Sequence, residues 1–131
     1  MGNIRLKSPV ELSVAADPGM MLVIRLTTAG VITRAGLTVD VMDNIKMAAE
    51  EACNCLIGQE NPPERIALRF SHEDDALVIR VIASDGAAIG GNVDEAELDV
   101  VHCILSALCD DVRFDVQDGR IRAIELRTAI A

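Results

Sequence analysis

Aromatic side chains are almost missing from this chain: two Phe, no Trp and no Tyr among 131 residues. A core must then be assembled from Val, Ile, Leu, Ala and Met, and with half of the residues hydrophobic there is material for one. The same shortage leaves no platform on which unpaired bases could stack, which argues against a single-strand nucleic-acid binder. No stretch is apolar for the roughly 18 residues that a membrane span needs. Met1 to Pro9 is mixed in character and lacks a signal-type apolar run, so a cytoplasmic location is expected. No CxxC pair occurs either. Cys53, Cys55, Cys103 and Cys109 are not clustered with His as a zinc site requires, and in a cytoplasmic chain they read as small buried hydrophobes. No metal site is expected from them. Repeats, low-complexity tracts and linkers are absent too, and residues 1–131 read as one domain.

What the chain has in excess is acid. Its formal net charge is −9, which repels DNA, RNA and anionic lipid. Neutral or basic protein surfaces are the partners such a charge favours. Alternatively the charge serves only to keep the domain in solution.

The hydrophobic pattern gives an order of elements. Val10 to Ala16 alternates and reads as a half-buried strand. Asp17-Pro18 is a helix start, followed by Met21, Ile24, Thr28, Val31, Ile32 and Ala35 at helical spacing, with Gly36 as the stop. Thr38 caps a second helix whose apolar stripe is Met42, Ile45, Ala48, Ala49, Ala52, Cys53, Leu56 and Ile57, ending near Gly58. Ile66, Leu68 and Phe70 mark one strand and Leu77, Ile79, Val81 and Ala83 the next, joined by a tight turn over Glu73-Asp74-Asp75. Ser84 to Asn92 is a Gly-rich loop. A third helix is expected from about Val93 to Cys109, with Leu98, Val101, Ile104, Leu105 and Leu108 on its buried face. Val112, Phe114 and Val116, then an Asp118-Gly119 turn, then Ile121 to Thr128 form a final hairpin, with a phase shift near Ala123 that suggests a bulge. The order β-α-α-β-β-α-β-β predicts an α+β two-layer sandwich: a mostly antiparallel mixed sheet with helices packed on one face.

Two segments carry a resemblance. The second helix reads Ile45-Lys46-Met47-Ala48-Ala49-Glu50-Glu51-Ala52-Cys53-Asn54-Cys55, and a late strand is approached through Leu108-Cys109-Asp110-Asp111-Val112. In this order and spacing they resemble the I-K-L-A-V-S-E-A-C-T-N and L-M-D-E-V segments of the anti-sigma-factor serine/threonine kinases. Those kinases have the histidine-kinase-like ATPase (Bergerat) fold, shared with gyrase and MutL. The resemblance covers nearly the whole chain after Val10.

The resemblance implies ATP and Mg²⁺ as cofactors, a sigma factor or anti-anti-sigma protein as partner, and often a homodimer. It also implies site residues. Glu51 matches the family's general base. The family's Asn, four residues on, holds Mg²⁺ through its amide oxygen, and an i, i+4 pair shares one helix face. Here that position is Cys55, and a neutral thiol is a poor ligand for a hard cation. A second register, Glu50 with Asn54, restores the pair if the helix is rotated; the apolar stripe favours the first.

The family's D-x-G-x-G, whose Asp takes the adenine amino group, falls on a stretch where Asp85 and Gly86 are adjacent and Gly90-Gly91 follow. The spacing is wrong, and with the strand phase kept the Asp position is Ala83. An ordinary Gly-rich turn is the simpler reading. The phosphate-binding G-L-G-L matches Asp99-Val100-Val101-His102, and an Asp there repels a triphosphate. The late Gly-Thr is absent around Ile121-Arg122. Neither His72 nor His102 has the context of a catalytic group.

Three functions follow. The first is a binding module of the anti-sigma type, with nucleotide binding weakened or lost. The second is an active kinase using Glu51 with Asn54 in place of the missing ligand. The third is a purely structural dimerisation domain. Residues that would contact nucleotide, if any do, are Asn54, Cys55, Asp85, Gly86, Gly90 and Gly91.

Overall fold

The computed structural model describes residues 6, 8–59, 62–84 and 93–130. The elements run β1 (Val10–Ala15), a 3-10 turn (Pro18–Met20), α1 (Met21–Thr33), α2 (Val39–Ile57), β2 (Arg65–Glu73), β3 (Ala76–Ser84), α3 (Glu95–Ser106), β4 (Asp111–Gln117) and β5 (Arg120–Ala129). The five strands form one sheet in the order β1-β2-β3-β5-β4. Every pairing among the described residues is antiparallel, where the sequence suggested a mostly antiparallel mixed sheet. The physical reason is in the connections. β2–β3 and β4–β5 are hairpins, and β5 then slots between β3 and β4, running antiparallel to both.

Local chemistry places the ends of these elements. Asp17 caps the 3-10 turn through Gly19 N–H (3.0 Å), so α1 begins a turn later than the Asp-Pro pair implied. Thr38 Oγ1 accepts from Val41 N–H at the start of α2 (3.4 Å). The β4–β5 turn is two residues, Asp118 and Gly119, both with positive φ (53° and 72°), the backbone of a type I′ hairpin. The bulge lies at Arg122: Asp115 faces Ala123, while Val116 faces Ile121.

The core lies between the helical layer and one face of the sheet. Ile66, Leu68 and Phe70 of β2 and Leu77, Ile79 and Val81 of β3 form one buried cluster with Ile45, Ala48, Ala52 and Leu56 of α2. The opposite face of the sheet is roofed by its own long side chains. Arg69 pairs with Glu11 (2.6 Å), Arg80 with Glu125 (3.8 Å) and Arg127 with Glu73 (3.2 Å), and beneath them Val78 is fully buried.

α3 departs from expectation. It is shorter than Val93–Cys109, and of its predicted apolar face only Leu105 is fully buried. Leu98, Val101 and Leu108 are half-buried, and Ile104 is 42% exposed. The reason is that α3 touches α2 without closing fully against it, and a cavity lies between the last turns of α2 and α3.

Candidate functional site

The cavity has a volume of about 760 Å³. One wall is the last turns of α2, the other is α3, and the end is closed by the β4–β5 turn and the start of β5. The turn is tied to the α3 entrance by Val93 N–H donating to Gly119 C=O (2.9 Å).

The rotation of α2 decides which of its polar groups reach this space. Ala48, Ala49, Ala52, Cys53 and Leu56 are driven into the core. Glu50 is thereby turned toward α1, where its carboxylate pairs with the Arg25 guanidinium. Glu51, Asn54 and Cys55, at i, i+3 and i+4, line the cavity together. The register favoured from sequence, Glu51 with Cys55, lies on the cavity; Asn54, assigned to the other register, lines it as well, and Glu50 does not.

Burial pushes the Cys55 thiol up to about 11, and the nearby carboxylates of Glu51 and Glu97 push in the same direction. It stays a neutral thiol at neutral pH. Cys53, behind it in the core, is pushed up to about 12 by burial and by Glu50. All four cysteines are free thiols. No cluster of three or more His, Cys, Asp or Glu side chains suited to a metal ion exists among the described residues.

The α3 end of the cavity is acidic. Asp94 caps the helix, its Oδ1 accepting from Ala96 N–H (2.9 Å), and Glu95 and Glu97 stand in the first turn. These carboxylates already occupy the positive end of the helix. The residues aligned with the phosphate loop, Asp99 to His102, lie inside α3 instead of at its start. From Leu98 onward, whose N–H donates to Asp94 C=O (2.9 Å), the amides are used within the helix. Between Arg80 and Arg113 the sequence holds several acids and neither Lys nor Arg. Asp85, Gly86, Gly90 and Gly91 lie outside the described residues.

Three contributors escaped the sequence reading. Glu97 lines the cavity from the α3 side. Arg120, at the start of β5, lines it while being only 1% exposed. Gln59, just past α2, makes a two-way bridge to β5: Ile121 N–H donates to its Oε1 (2.9 Å), and its Nε2 donates to Ile121 C=O (3.2 Å) and to Leu56 C=O (3.2 Å). For Glu97 the signal was its place in the first turn of a helix beginning beside a Gly-rich loop. Nothing local marks Arg120 or Gln59.

A five-stranded antiparallel sheet with its helices on one face, and a cavity between α2 and α3, define a domain of the histidine-kinase-like ATPase fold. A crystal structure of the RsbU and RsbW domains of a Mycobacterium tuberculosis protein superposes with a TM-score of 0.73 over 95% of this chain and 32% of that one, at 14% identity.

In sequence the chain is similar to serine-protein kinase RsbW. It is 32% identical to the Bacillus subtilis protein over 80 residues, which is 59% of this chain and 49% of that protein. To RsbW of Bacillus pumilus it is 30% identical over 84 residues, 60% of this chain and 51% of that protein. The chain thus spans about half the length of the curated relatives it matches. No family model matches it. No helix among the described residues is long and apolar enough to cross a membrane.

Proposed function

We propose that this domain is an anti-sigma-type regulatory protein that acts by protein contact, with its nucleotide binding weakened or lost. One observation carries the reading: the cavity lined by Glu51 is also lined by Cys55, a thiol that burial raises to about 11, at the position where the resemblance calls for a metal-binding amide. Its surroundings point the same way. The α3 entrance is capped by Asp94 and flanked by Glu97, so a triphosphate arriving there meets carboxylates in place of free amides. Mg²⁺ wants oxygen ligands in near-octahedral array, and a neutral sulfur does not supply one. The partner, by similarity to RsbW, is a sigma factor or an anti-anti-sigma protein, and a homodimer is part of the same reading. The net charge of −9 disfavours nucleic acid and anionic membranes as partners.

The test is a titration with Mg-ATP and a fluorescent ATP analogue. Binding absent, or weak and indifferent to magnesium, is expected. Tight magnesium-dependent binding overturns the proposal.

A second reading is favoured by the position of Asn54, which lines the cavity beside Glu51. In it the domain is a kinase that phosphorylates a serine or threonine of an antagonist protein, with Asn54 supplying the metal ligand one residue early. Incubation with labelled ATP and candidate antagonists must then show transfer that Glu51→Ala abolishes by about 10²-fold or more, the usual scale for a lost general base. No transfer to any antagonist removes this alternative.

A further inference from the structure

The shape of the cavity is that of a ligand site. Its volume of about 760 Å³ falls within the roughly 300–1,000 Å³ that small-molecule pockets occupy. Its walls are of two kinds. α3 turns apolar side chains toward open space, with Val100 59% and Ile104 42% exposed, although water is a poor neighbour for both. Two carboxylates line the cavity, Glu51 from α2 and Glu97 from α3. Cys55 lies near both, and its thiol is raised first by burial and then by these two carboxylates. Asp94 adds a third carboxylate at the rim, and Arg120 is the one basic side chain among the described lining residues. The acids outnumber it, and the chain from Arg80 to Arg113 offers no other cation.

We propose that this cavity binds an organic cation, a guanidinium or ammonium group carried on an aliphatic body. The charged head sits between Glu51 and Glu97, and the aliphatic part lies along Val100 and Ile104 of α3. A planar guanidinium suits the head position best, because it can hydrogen-bond a carboxylate in two-pronged fashion and gives up its hydration more readily than an ammonium. The partly enclosed, partly apolar setting strengthens the attraction relative to open water. It also turns the field of the site against phosphate, so the ligand chemistry is the reverse of a nucleotide's. The inference rests on the reading that phosphates and a metal no longer govern this cavity, and it adds what takes their place. The same head group can arrive on a free small molecule or as the end of an arginine side chain in a peptide.

Isothermal titration of the full chain at fixed ionic strength with four probes tests this. Hexylguanidinium is compared with its neutral isostere hexylurea, and a Leu-Arg-Leu peptide with the same peptide carrying citrulline for arginine. At least one cation is expected to bind about tenfold or more tightly than its neutral counterpart, a difference of ~1.4 kcal/mol. The pair showing the larger preference assigns the source. Glu51→Gln and Glu97→Gln should each erase most of the preference while leaving the melting temperature close to the parent's. Glu97 is exposed, so its variant keeps the test meaningful if Glu51→Gln folds badly. Equal affinity for cation and isostere, no binding by either cation, or a preference that survives both variants overturns the proposal. Mg-ATP is titrated in parallel. Tight magnesium-dependent binding there removes the reading beneath the inference, whereas silence from both ATP and the cations removes the inference alone.

Discussion

At position 55 a thiol, not an amide, faces the cavity, and its environment keeps it protonated. Burial, Glu51 and Glu97 together raise it to about 11, so the thiolate is scarce at neutral pH and its fraction grows about tenfold for each pH unit below that value. Cys103, on the outer side of α3, is exposed. Iodoacetamide at pH 7 should therefore label Cys103 first and Cys55 much more slowly. The Cys55 rate should keep rising from pH 8 to pH 10, with no plateau near the ordinary thiol value of 9.0. Peptide mapping of the labelled sites reads both. Fast labelling of Cys55 at neutral pH would mean that Glu51 and Glu97 do not crowd it.

Among the elements, α2 is the one that organises the site. Its apolar stripe fixes its rotation, and the polar residues opposite are delivered to the cavity as a consequence. Its end is held by Gln59, whose amide satisfies both backbone groups of Ile121 beside the β5 bulge. Ile121 is buried, so removing the amide leaves an N–H without its acceptor. Gln59→Ala is expected to lower stability by about 1–3 kcal/mol, the usual penalty for an orphaned buried group. Denaturant unfolding measures it, as a lower midpoint with an unchanged slope. A loss within a few tenths of a kcal/mol would show that the bridge is ornamental and that packing alone holds α2 against β5.

For the whole molecule, three thiols share one behaviour. Cys53, Cys55 and Cys109 are all raised above the ordinary 9.0 in the fold, first by burial in each case and then by neighbouring carboxylates. The unfolded chain ionises them near that ordinary value, while the folded chain holds its protons until about 11 to 12. Above pH 9 the unfolded state therefore binds fewer protons than the native state, and stability falls as pH rises. The contribution is fully present below pH 9 and is lost progressively toward the folded values. Melting temperatures recorded from pH 7 to pH 11 should be flat at first and then decline. Replacing Cys55 with Ser should reduce the slope of that decline. A melting temperature indifferent to alkali would contradict the burial of these groups.

Most of the architecture was legible in the chain itself, because hydrophobic periodicity reports which face of each element must leave water. The two apolar strands Ile66–Phe70 and Leu77–Val81, the stripe of α2, the caps at Asp17 and Thr38, and the Asp118-Gly119 turn all follow from local rules, and so did the α+β sandwich. The candidate site was legible only in part. Glu51, Asn54 and Cys55 were visible because one helix carries them at fixed spacing. What periodicity could not say was whether the apolar face of α3 would close fully against α2, and it closes only in part. Nor could it bring Gln59 to Ile121, or Arg120 to the cavity that Glu51 lines, since those residues are more than sixty apart in the chain and meet only when β5 takes its place in the sheet. Burial pattern is a local property of sequence, whereas the composition of a cavity is decided by which distant segments the packed layers bring to its walls.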